Sequence, residues 1–369
     1  MNGEEFLSHA VAARFNRNSV LRFIMKNGPV SRTDIWNTMD ISRASVTQII
    51  RQLRAENLIV EKGVHRSQDG RSTRRLGINS SGRGMYLFDW NCGLLCRANW
   101  DGTIQDQIHL SFPNPCTPFV FQECILNGLD RLECEKTPDL ERFLGLGIAL
   151  PGIVDYRKHT VDYSVELGWR SVDIRTMFKH RFGDSVFLER TGNMLALGEE
   201  YYGRAKNYDS VLVVMLDFNG IGASVVVHGE CQHGSNSMYG ELGHIKLPSD
   251  VICSCGQKGC LEAVVNHHRL HNGNCFDEQL QEYLALGIST AINLYDPSII
   301  LLTGGLIHGL TPEEKASFIT RLRSKITNER SRELTVDYCE NGELMGIKGL
   351  SVYVFNQHFN GLGAKCVSQ

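Results

Sequence analysis

The chain has 369 residues, of which 42% are hydrophobic and 21% are charged, and its formal net charge is −3. This composition is typical of a folded globular protein and excludes the disordered and fibrous classes. At about 100–200 residues per domain, the length predicts two or three domains. No apolar run reaches the roughly 18 residues of a membrane span, and the first residues lack the basic segment of a secretion signal. We therefore expect a cytoplasmic protein with no membrane partner.

Basic residues are concentrated near the start of the chain. Residues 14–75 contain 13 Lys and Arg against 5 Asp and Glu, a net charge of +8, so the remaining residues carry −11. A basic segment ahead of an acidic remainder indicates that this segment alone binds a polyanion. The chain also has 12 cysteines. Without a secretion signal, we expect reduced thiols and some metal ligands rather than disulfides.

The basic segment has the pattern of three short helices. The first ends at the breaker Asn27-Gly28-Pro29, and Ser31 is a candidate N-cap for the second. Asp40-Ile41-Ser42 predicts a tight turn before the third helix. There the apolar residues recur at i, i+3, i+4 and i+7, namely at Val46, Ile49, Ile50 and Leu53. Three helices with a turn between the second and third predict a helix-turn-helix.

A hairpin is predicted after the third helix. Residues 58–63 and 75–78 have strand character and enclose a polar tip, which is the wing of a winged helix. The outer face of the third helix and this tip carry the side chains that we predict to contact double-stranded operator DNA, namely Arg43, Ser45, Thr47, Gln48, Arg51 and Arg71. Two alternatives are that the charges only solvate a three-helix bundle, or that this unit docks onto proteins.

From about residue 83 the pattern changes to alternating strands and helices. Two α/β halves, each built on a sheet, predict a cleft between them in which a ligand binds. The helices predicted in this part include residues 171–182, 192–204, 278–295, 312–327 and 343–358. We therefore expect a winged helix-turn-helix domain over residues 1–80, called the head, and an α/β domain over residues 81–369, called the body.

A cluster of potential metal ligands is the strongest local signal. His244, Cys253, Cys255 and Cys260 lie within seventeen residues and supply a tetrahedral donor set for Zn²⁺. Four protein ligands leave no open coordination position, which predicts a structural zinc, one per chain. The alternative is a chance cluster of buried free thiols. The intervening Gly256 and Gly259 allow the loop to fold tightly around an ion.

Several segments of the body resemble the ROK family (repressors, open reading frames, kinases). They are Met238 to His244 followed by Cys-x-Cys-Gly-x-x-Gly-Cys-Leu-Glu, Gly147 to Asp155, Leu167-Gly168-Trp169, and Asp296 to Gly305. The similarity extends from about residue 83 to the end. Members with a winged helix in front are similar to repressors of sugar catabolic genes, and members without it are mostly sugar kinases.

This resemblance implies a two-lobed, actin-like ATPase fold with a sugar between the lobes. It also implies that Glu241, His244 and Glu262 bind sugar hydroxyls, since the corresponding family residues do. The chemistry agrees, because carboxylates accept hydrogen bonds from vicinal hydroxyls. A zinc ion on one ring nitrogen of His244 fixes the other as a donor.

The phosphoryl-transfer motifs of the family kinases are altered in this chain. The phosphate motif Asp-x-Gly-x-Thr corresponds to Asp89-Trp90-Asn91-Cys92-Gly93, where Trp90 is expected to obstruct a nucleotide. Thr191 replaces the aspartate that is the catalytic base, and a threonine hydroxyl is too weak a base at neutral pH. The second phosphate loop, Gly-Thr-Gly-Ile-Gly, has become residues 218–222. We therefore expect no enzymatic activity and no catalytic residue.

Arg190 replaces a family asparagine in the expected sugar site. Its guanidinium is a candidate partner for a phosphorylated or acidic sugar. The alternative is an ion pair with Glu166 or Glu189.

The sequence thus predicts a sugar-responsive repressor of carbohydrate uptake or catabolism genes. It would bind operator DNA as a homodimer or tetramer, with an affinity modulated by a sugar or sugar phosphate. The alternatives are a sugar kinase that phosphorylates a hexose with ATP and a scaffold that binds proteins through the head.

Overall fold

The structure, a computed structural model, describes most of the chain. The described residues are 9–66, 72–81, 84–133, 143–218, 220–273, 276–339 and 344–361. Within these ranges no helix has both the length and the apolar character needed to cross a membrane. None of the described cysteines forms a disulfide, in agreement with the expectation of reduced thiols.

The head consists of three helices and a hairpin. Its elements are α1 (His9–Asn27), α2 (Arg32–Met39), α3 (Arg43–Ala55), β1 (Ile59–Arg66) and β2 (Ser72–Ile78). The strands β1 and β2 pair antiparallel, with Ile59 opposite Ile78. Both the helix-turn-helix and the hairpin predicted from the sequence are therefore present.

Capping residues set the bounds of the two short helices. The Ser31 hydroxyl accepts from the backbone N–H of Asp34, and the Asp34 carboxylate accepts from the N–H of Ser31 at 2.8 Å, which forms a capping box. Asp40 ends α2 in the left-handed conformation, with φ 50°. Ser42 then caps α3 by accepting from the N–H of Ser45. The turn predicted at residues 40–42 follows from these local interactions.

The first lobe of the body is a five-stranded sheet with helices and a small second sheet. Its elements are β3 (Gly84–Asp89), β4 (Leu94–Asn99), β5 (Ile104–His109), α4 (Pro118–Glu133), β6 (Phe143–Leu150), β7 (Ile153–Asp155), β8 (Thr160–Ser164), β9 (Trp169–Asp173), α5 (Ile174–Phe182), β10 (Val186–Arg190) and α6 (Thr191–Tyr202). The large sheet has the order β10-β6-β3-β4-β5, in which β6 is parallel to both of its neighbours. Strands β7, β8 and β9 form the small antiparallel sheet.

The second lobe repeats this plan. Its elements are β11 (Ser210–Leu216), β12 (Ile221–Val227), β13 (Glu230–Cys231), α7 (Leu261–Asn272), α8 (Glu278–Tyr295), β14 (Ile299–Thr303), α9 (Gly305–His308), α10 (Pro312–Arg323), β15 (Thr335–Tyr338) and α11 (Met345–Gly361). The sheet order is β13-β12-β11-β14-β15, with β11, β14 and β15 parallel. Helix α6 contacts strands of both five-stranded sheets and also packs against α11.

The apolar core of the head continues into the body. One cluster of buried side chains extends from Leu21 and Leu53 in the head to Ile347 and Phe355 in α11. Separate clusters lie in the second lobe and on the outer face of the first sheet. The last strand of the head ends at Ile78 and the first strand of the body begins at Gly84, while the division at residue 80 stays a prediction.

The body differs from the sequence prediction at several elements. The predicted helix 171–182 begins only at Ile174, because residues up to Asp173 belong to β9 and the Asp173 carboxylate caps the helix. The predicted helix 312–327 ends at Arg323. Helix α7 and the sheet β7-β8-β9 were not predicted. The strands of that sheet have only three to five residues, too few to give a clear alternation.

Candidate functional site

Four side chains of the segment between β13 and the start of α7 meet at one point. The sulfur atoms of Cys253, Cys255 and Cys260 and a ring nitrogen of His244 lie within 4.8 Å of one another. Sγ of Cys255 is 3.6 Å from Sγ of Cys260, and Sγ of Cys253 is 3.7 Å from Nδ1 of His244. A tetrahedral ion with metal–sulfur bonds of about 2.3 Å separates its ligands by about 3.8 Å. The four predicted ligands therefore fit a tetrahedral metal site.

The loop that carries the cysteines turns at its two glycines. Gly256 and Gly259 have φ of 85° and 72°, a region in which only glycine is unstrained. A Cβ on Gly259 would lie 2.4 Å from the carbonyl oxygen of Leu247. The backbone N–H of Gln257 donates to the Cys255 thiol and lowers its pKa. Both glycines thus have the role that the sequence predicted, and the thiolate form of Cys255 is favoured.

Lys246 is a further member of the cluster that the sequence did not reveal. Its Nζ lies 2.9 Å from Sγ of Cys260. Three thiolates would carry one more negative charge than a divalent ion neutralises, and an ammonium at this distance offsets it. No spacing rule marks this lysine, because it is a charge partner rather than a ligand.

The predicted sugar contacts surround the same histidine. Glu241 is the N-cap of the short 3₁₀ turn Leu242–His244 and His244 is its last residue. Nε2 of His244 is 4.0 Å from Oε2 of Glu241. Since Nδ1 faces Cys253, the two ring nitrogens point to different partners. Glu262 lies in the first turn of α7, and its Oε2 accepts from the N–H of Ile221 at 3.1 Å. The structure thus places a predicted metal ligand, Cys253, at one ring nitrogen of His244 and the Glu241 carboxylate at the other.

Arg190 lies beside Glu241. Its Nη1 is 3.2 Å from Oε1 of Glu241 and 3.2 Å from the carbonyl oxygen of Tyr239, and its Nη2 donates to the carbonyl oxygen of Ala223 at 3.4 Å. The side chain is 12% exposed.

The alternative prediction, an ion pair of Arg190 with Glu166 or Glu189, is therefore wrong, because the guanidinium pairs with Glu241. Glu166 accepts instead from Nε1 of Trp90 at 2.6 Å, and Glu189 accepts from the backbone N–H of Arg190. The physical reason is that Glu189 is already satisfied by other donors, which leaves the guanidinium to reach across to the second lobe.

Glu189 is the centre of a group that the sequence did not identify. Its side chain is fully buried, and its Oε2 lies 2.5 Å from Nε2 of His233. Nδ2 of Asn193 donates to its other oxygen at 2.9 Å, and Tyr156 stacks on the His233 ring at 3.8 Å. The sequence places Glu189 in a family motif, but His233 comes from a loop 44 positions later and carries no local signal.

In the head, the residues predicted to bind DNA differ in their exposure and in their hydrogen bonds within the head. Arg43, Thr47, Gln48 and Arg51 are exposed on α3, and Ser45 is half-buried. The Ser45 hydroxyl lies 2.9 Å from the hydroxyl of Ser42, and the Thr47 hydroxyl donates to the carbonyl oxygen of Arg43 at 2.8 Å. Arg71 lies outside the described residues.

Basic side chains around α3 have partners of their own. The Arg43 guanidinium is 4.8 Å from the ring centre of Trp36, which holds it at the start of the helix. Arg54 and Arg74 both donate to Glu61 at the base of the hairpin. Among the DNA contacts predicted on α3, Gln48 and Arg51 are therefore exposed side chains for which the described residues show no hydrogen bond.

Residues 96–273 match the model of the ROK family, as the resemblance predicted. The chain thus contains a ROK family domain. It is 24% identical to the xylose repressor of Bacillus spizizenii over 88% of this chain and 90% of that protein. It is also 24% identical to the transcriptional dual regulator NagC of Escherichia coli, over 79% of this chain and 80% of that protein.

Solved structures show the same fold. A ROK family transcriptional regulator, a homologue of the E. coli MLC protein, superposes with a TM-score of 0.73 at 22% identity over 95% of this chain and 98% of that chain. The ROK hexokinase of Thermus thermophilus superposes with a TM-score of 0.61 at 23% identity over 73% of this chain and 97% of that chain. The fold is thus a winged helix-turn-helix followed by the two-lobed, actin-like ATPase domain of ROK proteins.

The position of the first ROK phosphate motif is closed. Asp89 is only 3% exposed, and burial raises its pKa to about 7. A Cβ on Gly346 of α11 would lie 2.0 Å from its Oδ2, so α11 covers this carboxyl. Trp90 packs against Phe112, with ring centres 5.0 Å apart. A buried carboxyl that is partly protonated at neutral pH is poorly suited to contact a nucleotide or its metal ion.

A carboxylate of the chain itself lies next to the second phosphate loop, residues 218–222. Oδ1 of Asp217 accepts from the N–H of Gly305, the first residue of α9, at 2.7 Å. The Phe218 ring packs on the same glycine, where a Cβ would lie 2.6 Å from it. An amide N–H that already donates to a carboxylate is not free to donate to a phosphate, and the Asp217 carboxylate repels one. This obstruction adds to the replacement by Thr191, which is buried at the start of α6.

We predict that Asp89 makes the stability of the fold decrease as the pH rises. Its pKa is raised from 3.8 to about 7 on folding, so the folded state binds more protons than the unfolded state between these values. The contribution of the protonated Asp89 carboxyl to stability is complete below about pH 4 and is lost as the pH rises through 7. Asp89→Asn removes this dependence. When the pH is raised from 5 to 8, the free energy of unfolding of the variant should therefore increase by about 2–3 kcal/mol relative to that of the wild type.

The measurement is urea unfolding of both proteins at the two pH values. Asp130→Asn, at a carboxylate whose side chain is 64% exposed, is the matched control and should follow the wild type. Parallel pH profiles for wild type and Asp89→Asn would contradict the burial argument.

Proposed function

We propose that this protein is a sugar-responsive transcriptional regulator that represses genes of carbohydrate uptake or catabolism. The head binds operator DNA as part of a dimer, and a sugar between the lobes changes the affinity. The observation that carries the proposal is the combination of an exposed basic α3 with a body that retains Glu241, His244 and Glu262 while Asp217, beside the second phosphate loop, bonds the amide of Gly305. The names of the xylose repressor and of NagC support the same function.

The DNA-binding surface in this proposal is the outer face of α3. Gln48 would contact base edges in the major groove, and Arg51 would contact phosphates. Arg43, positioned by Trp36, is a second phosphate contact, and Arg71 is assigned to the wing. Ser45 and Thr47 are expected to add less, because their hydroxyls already interact within the head.

We predict different effects for two alanine substitutions in α3. Arg51→Ala should weaken binding to all duplexes alike and reduce the slope of log K against log salt by about 1. Gln48→Ala should cost about 1–3 kcal/mol on the operator only and leave the salt slope unchanged. Fluorescence anisotropy with promoter and random duplexes measures both effects. Lys179→Ala, an exposed charge in α5, is the control, and equal losses for all three variants would argue against this assignment.

The charges of the sugar site favour an uncharged effector. Glu241 and Glu262 contribute two carboxylates, and the Arg190 guanidinium is already bonded to Glu241 and to two carbonyl oxygens. A phosphorylated or acidic sugar would meet this negative site without a free cation from Arg190. Hydroxyls can instead donate to Glu241 and Glu262 and accept from Nε2–H of His244.

A thermal-shift screen of free and phosphorylated sugars tests this proposal. We expect a free pentose or hexose to raise the unfolding temperature, since a ligand at 100 times its Kd stabilises by about 2.7 kcal/mol. The phosphorylated forms should give no shift. Glu241→Gln should abolish the response, and Glu313→Gln, exposed on α10, should retain it.

Two results would contradict different parts of the proposal. A larger shift with a phosphorylated sugar would overturn the charge argument and assign an anion to Arg190. Consumption of ATP in the presence of a hexose would identify a kinase and overturn the proposed function.

We also propose that the four-ligand cluster holds one structural zinc. Cys253, Cys255, Cys260 and His244 supply the donor set that zinc prefers, and all four positions of a tetrahedron are taken by protein. Bound through Nδ1, the ion would orient the His244 ring and fix Nε2–H toward Glu241. The metal would therefore support the sugar site without taking part in a reaction.

We predict that Cys255→Ser removes the metal and destabilises the second lobe. Zinc content measured by plasma mass spectrometry should fall from about one ion per chain to a small fraction, and the unfolding midpoint should fall by roughly 5–10 °C. Cys124→Ser, at a half-buried thiol in α4, is the control and should retain the ion. Equal zinc content in both variants would show that the cluster is not the metal site.

A further inference from the structure

Helix α1 has two faces with different partners. Its apolar side chains, among them Leu21 and Ile24, are buried in the core of the head. Asn18, Arg22 and Lys26 are spaced four residues apart, so they form one stripe along the helix. Each of the three contacts a different element of the body, which makes this stripe the docking face of the head.

The pair between Lys26 and Glu200 is the most buried of these contacts. Nζ of Lys26 lies 2.8 Å from Oε1 of Glu200, whose side chain is 0% exposed. It also lies 5.3 Å from the ring centre of Tyr201. Burial raises the pKa of Glu200, and Lys26 opposes that rise. Because a buried carboxylate depends on its cation, α1 and the C-terminal end of α6 are held together.

Two more contacts fix the orientation of α1. Nη1 of Arg22 lies 3.2 Å from Oε1 of Glu230 in β13. Nδ2 of Asn18 donates to the carbonyl oxygen of Phe359 in α11 at 3.1 Å. Three points on three elements determine how the helix lies on the body, so the head cannot rotate without breaking at least one of them.

Helix α6 extends from this interface to the sugar site. Its N-cap is Arg190, which is bonded to Glu241, and the ten steps along the chain from Arg190 to Glu200 span about 15 Å. Nearly all of its side chains are buried. At Gly198 a Cβ would lie 2.1 Å from the carbonyl oxygen of Met345, so α6 packs backbone against backbone on α11. The helix therefore moves as one body.

Strand β13 begins at the same interface and leads to the same site. Glu230 contacts the head, and the adjacent Cys231 donates its thiol to the carbonyl oxygen of Asn193 at 3.7 Å. Two residues later, His233 bonds to Glu189. Both α6 and β13 thus connect the group around Glu189 with a basic residue of α1.

We infer that α6 and β13 couple the sugar site to the head, and that Lys26 and Arg22 are the positioning residues that transmit the change to the DNA-binding surface. This inference rests on the proposed function. A sugar hydroxyl that donates to Glu241 competes with Arg190 for this carboxylate. Arg190, the N-cap of α6, then loses its bond to Glu241 in the second lobe, and α6 shifts. Glu200 at the other end of α6 moves with it and displaces Lys26 and the head. Coupling of this kind needs only that the sugar prefers one of the two arrangements.

The test compares Lys26→Met, which keeps the apolar stem and removes the charge, with Lys26→Arg, which keeps a cation. Lys179→Met in α5 is the control for loss of an exposed lysine. Two quantities are measured on the full chain. One is amide hydrogen exchange across residues 191–202. The other is the affinity for a duplex from the chain's own promoter region, with and without D-xylose or N-acetylglucosamine.

We expect Lys26→Met to accelerate exchange in α6 several-fold and to reduce the effect of sugar on DNA affinity from about tenfold to less than twofold. The increase in unfolding temperature that the sugar itself causes should be the same as in the wild type. A variant that is only destabilised would not retain this increase. Lys26→Arg should restore both quantities, and Lys179→Met should match the wild type. Arg22→Met should give a smaller change in the same direction, since Glu230 is largely exposed.

Failure of the inference differs from failure of the proposed function. If the wild type responds to sugar and Lys26→Met responds equally with unchanged exchange in α6, the coupling is overturned and the regulator remains. If no sugar changes the DNA affinity of the wild type while Lys26→Met accelerates exchange in α6, the proposed function is overturned and the connection between head and α6 is supported.

Discussion

The fully buried carboxylate of Glu189 is the constraint on which the centre of the molecule depends. An anion removed from water needs donors on every side, and here they are the imidazole of His233, the amide of Asn193 and the backbone N–H of Arg190. These donors belong to the end of β10, the first turn of α6 and the loop after β13. The need of this buried carboxylate for hydrogen-bond donors thus fixes the relative positions of elements from both lobes.

The same two-lobed frame supports catalysis in the family's kinases and, as we propose, sensing in this chain. The difference lies in a few side chains at the phosphate positions. Asp89 is covered by α11, Asp217 bonds the amide of Gly305, and Thr191 lacks the basicity of a carboxylate. Glu241 and His244 remain close together in the same body, with Nε2 of His244 4.0 Å from Oε2 of Glu241. In this proposal the fold has lost phosphoryl transfer while keeping the surface that would contact a sugar.

Local features of the sequence predicted much of the molecule. The helix-turn-helix follows from apolar spacing and caps at Ser31 and Ser42, and the metal cluster follows from ligands within seventeen residues. Contacts between distant segments could not be predicted. Lys26 and Glu200 are 174 positions apart, and Arg190 meets Glu241 across the cleft. Each of these side chains has several possible partners in the sequence, and only the packing of α6 between the two sheets selects one.

The bond between Asn18 and Phe359 joins residues separated by 341 positions. The helices and hairpin of the head are complete by Ile78, so its own core can form while most of the chain is still on the ribosome. The surface of the body that the head contacts includes α11, so it cannot form until that helix has emerged from the ribosome. A nascent chain therefore passes through a stage in which the head is folded but not yet held by the body that is to control it.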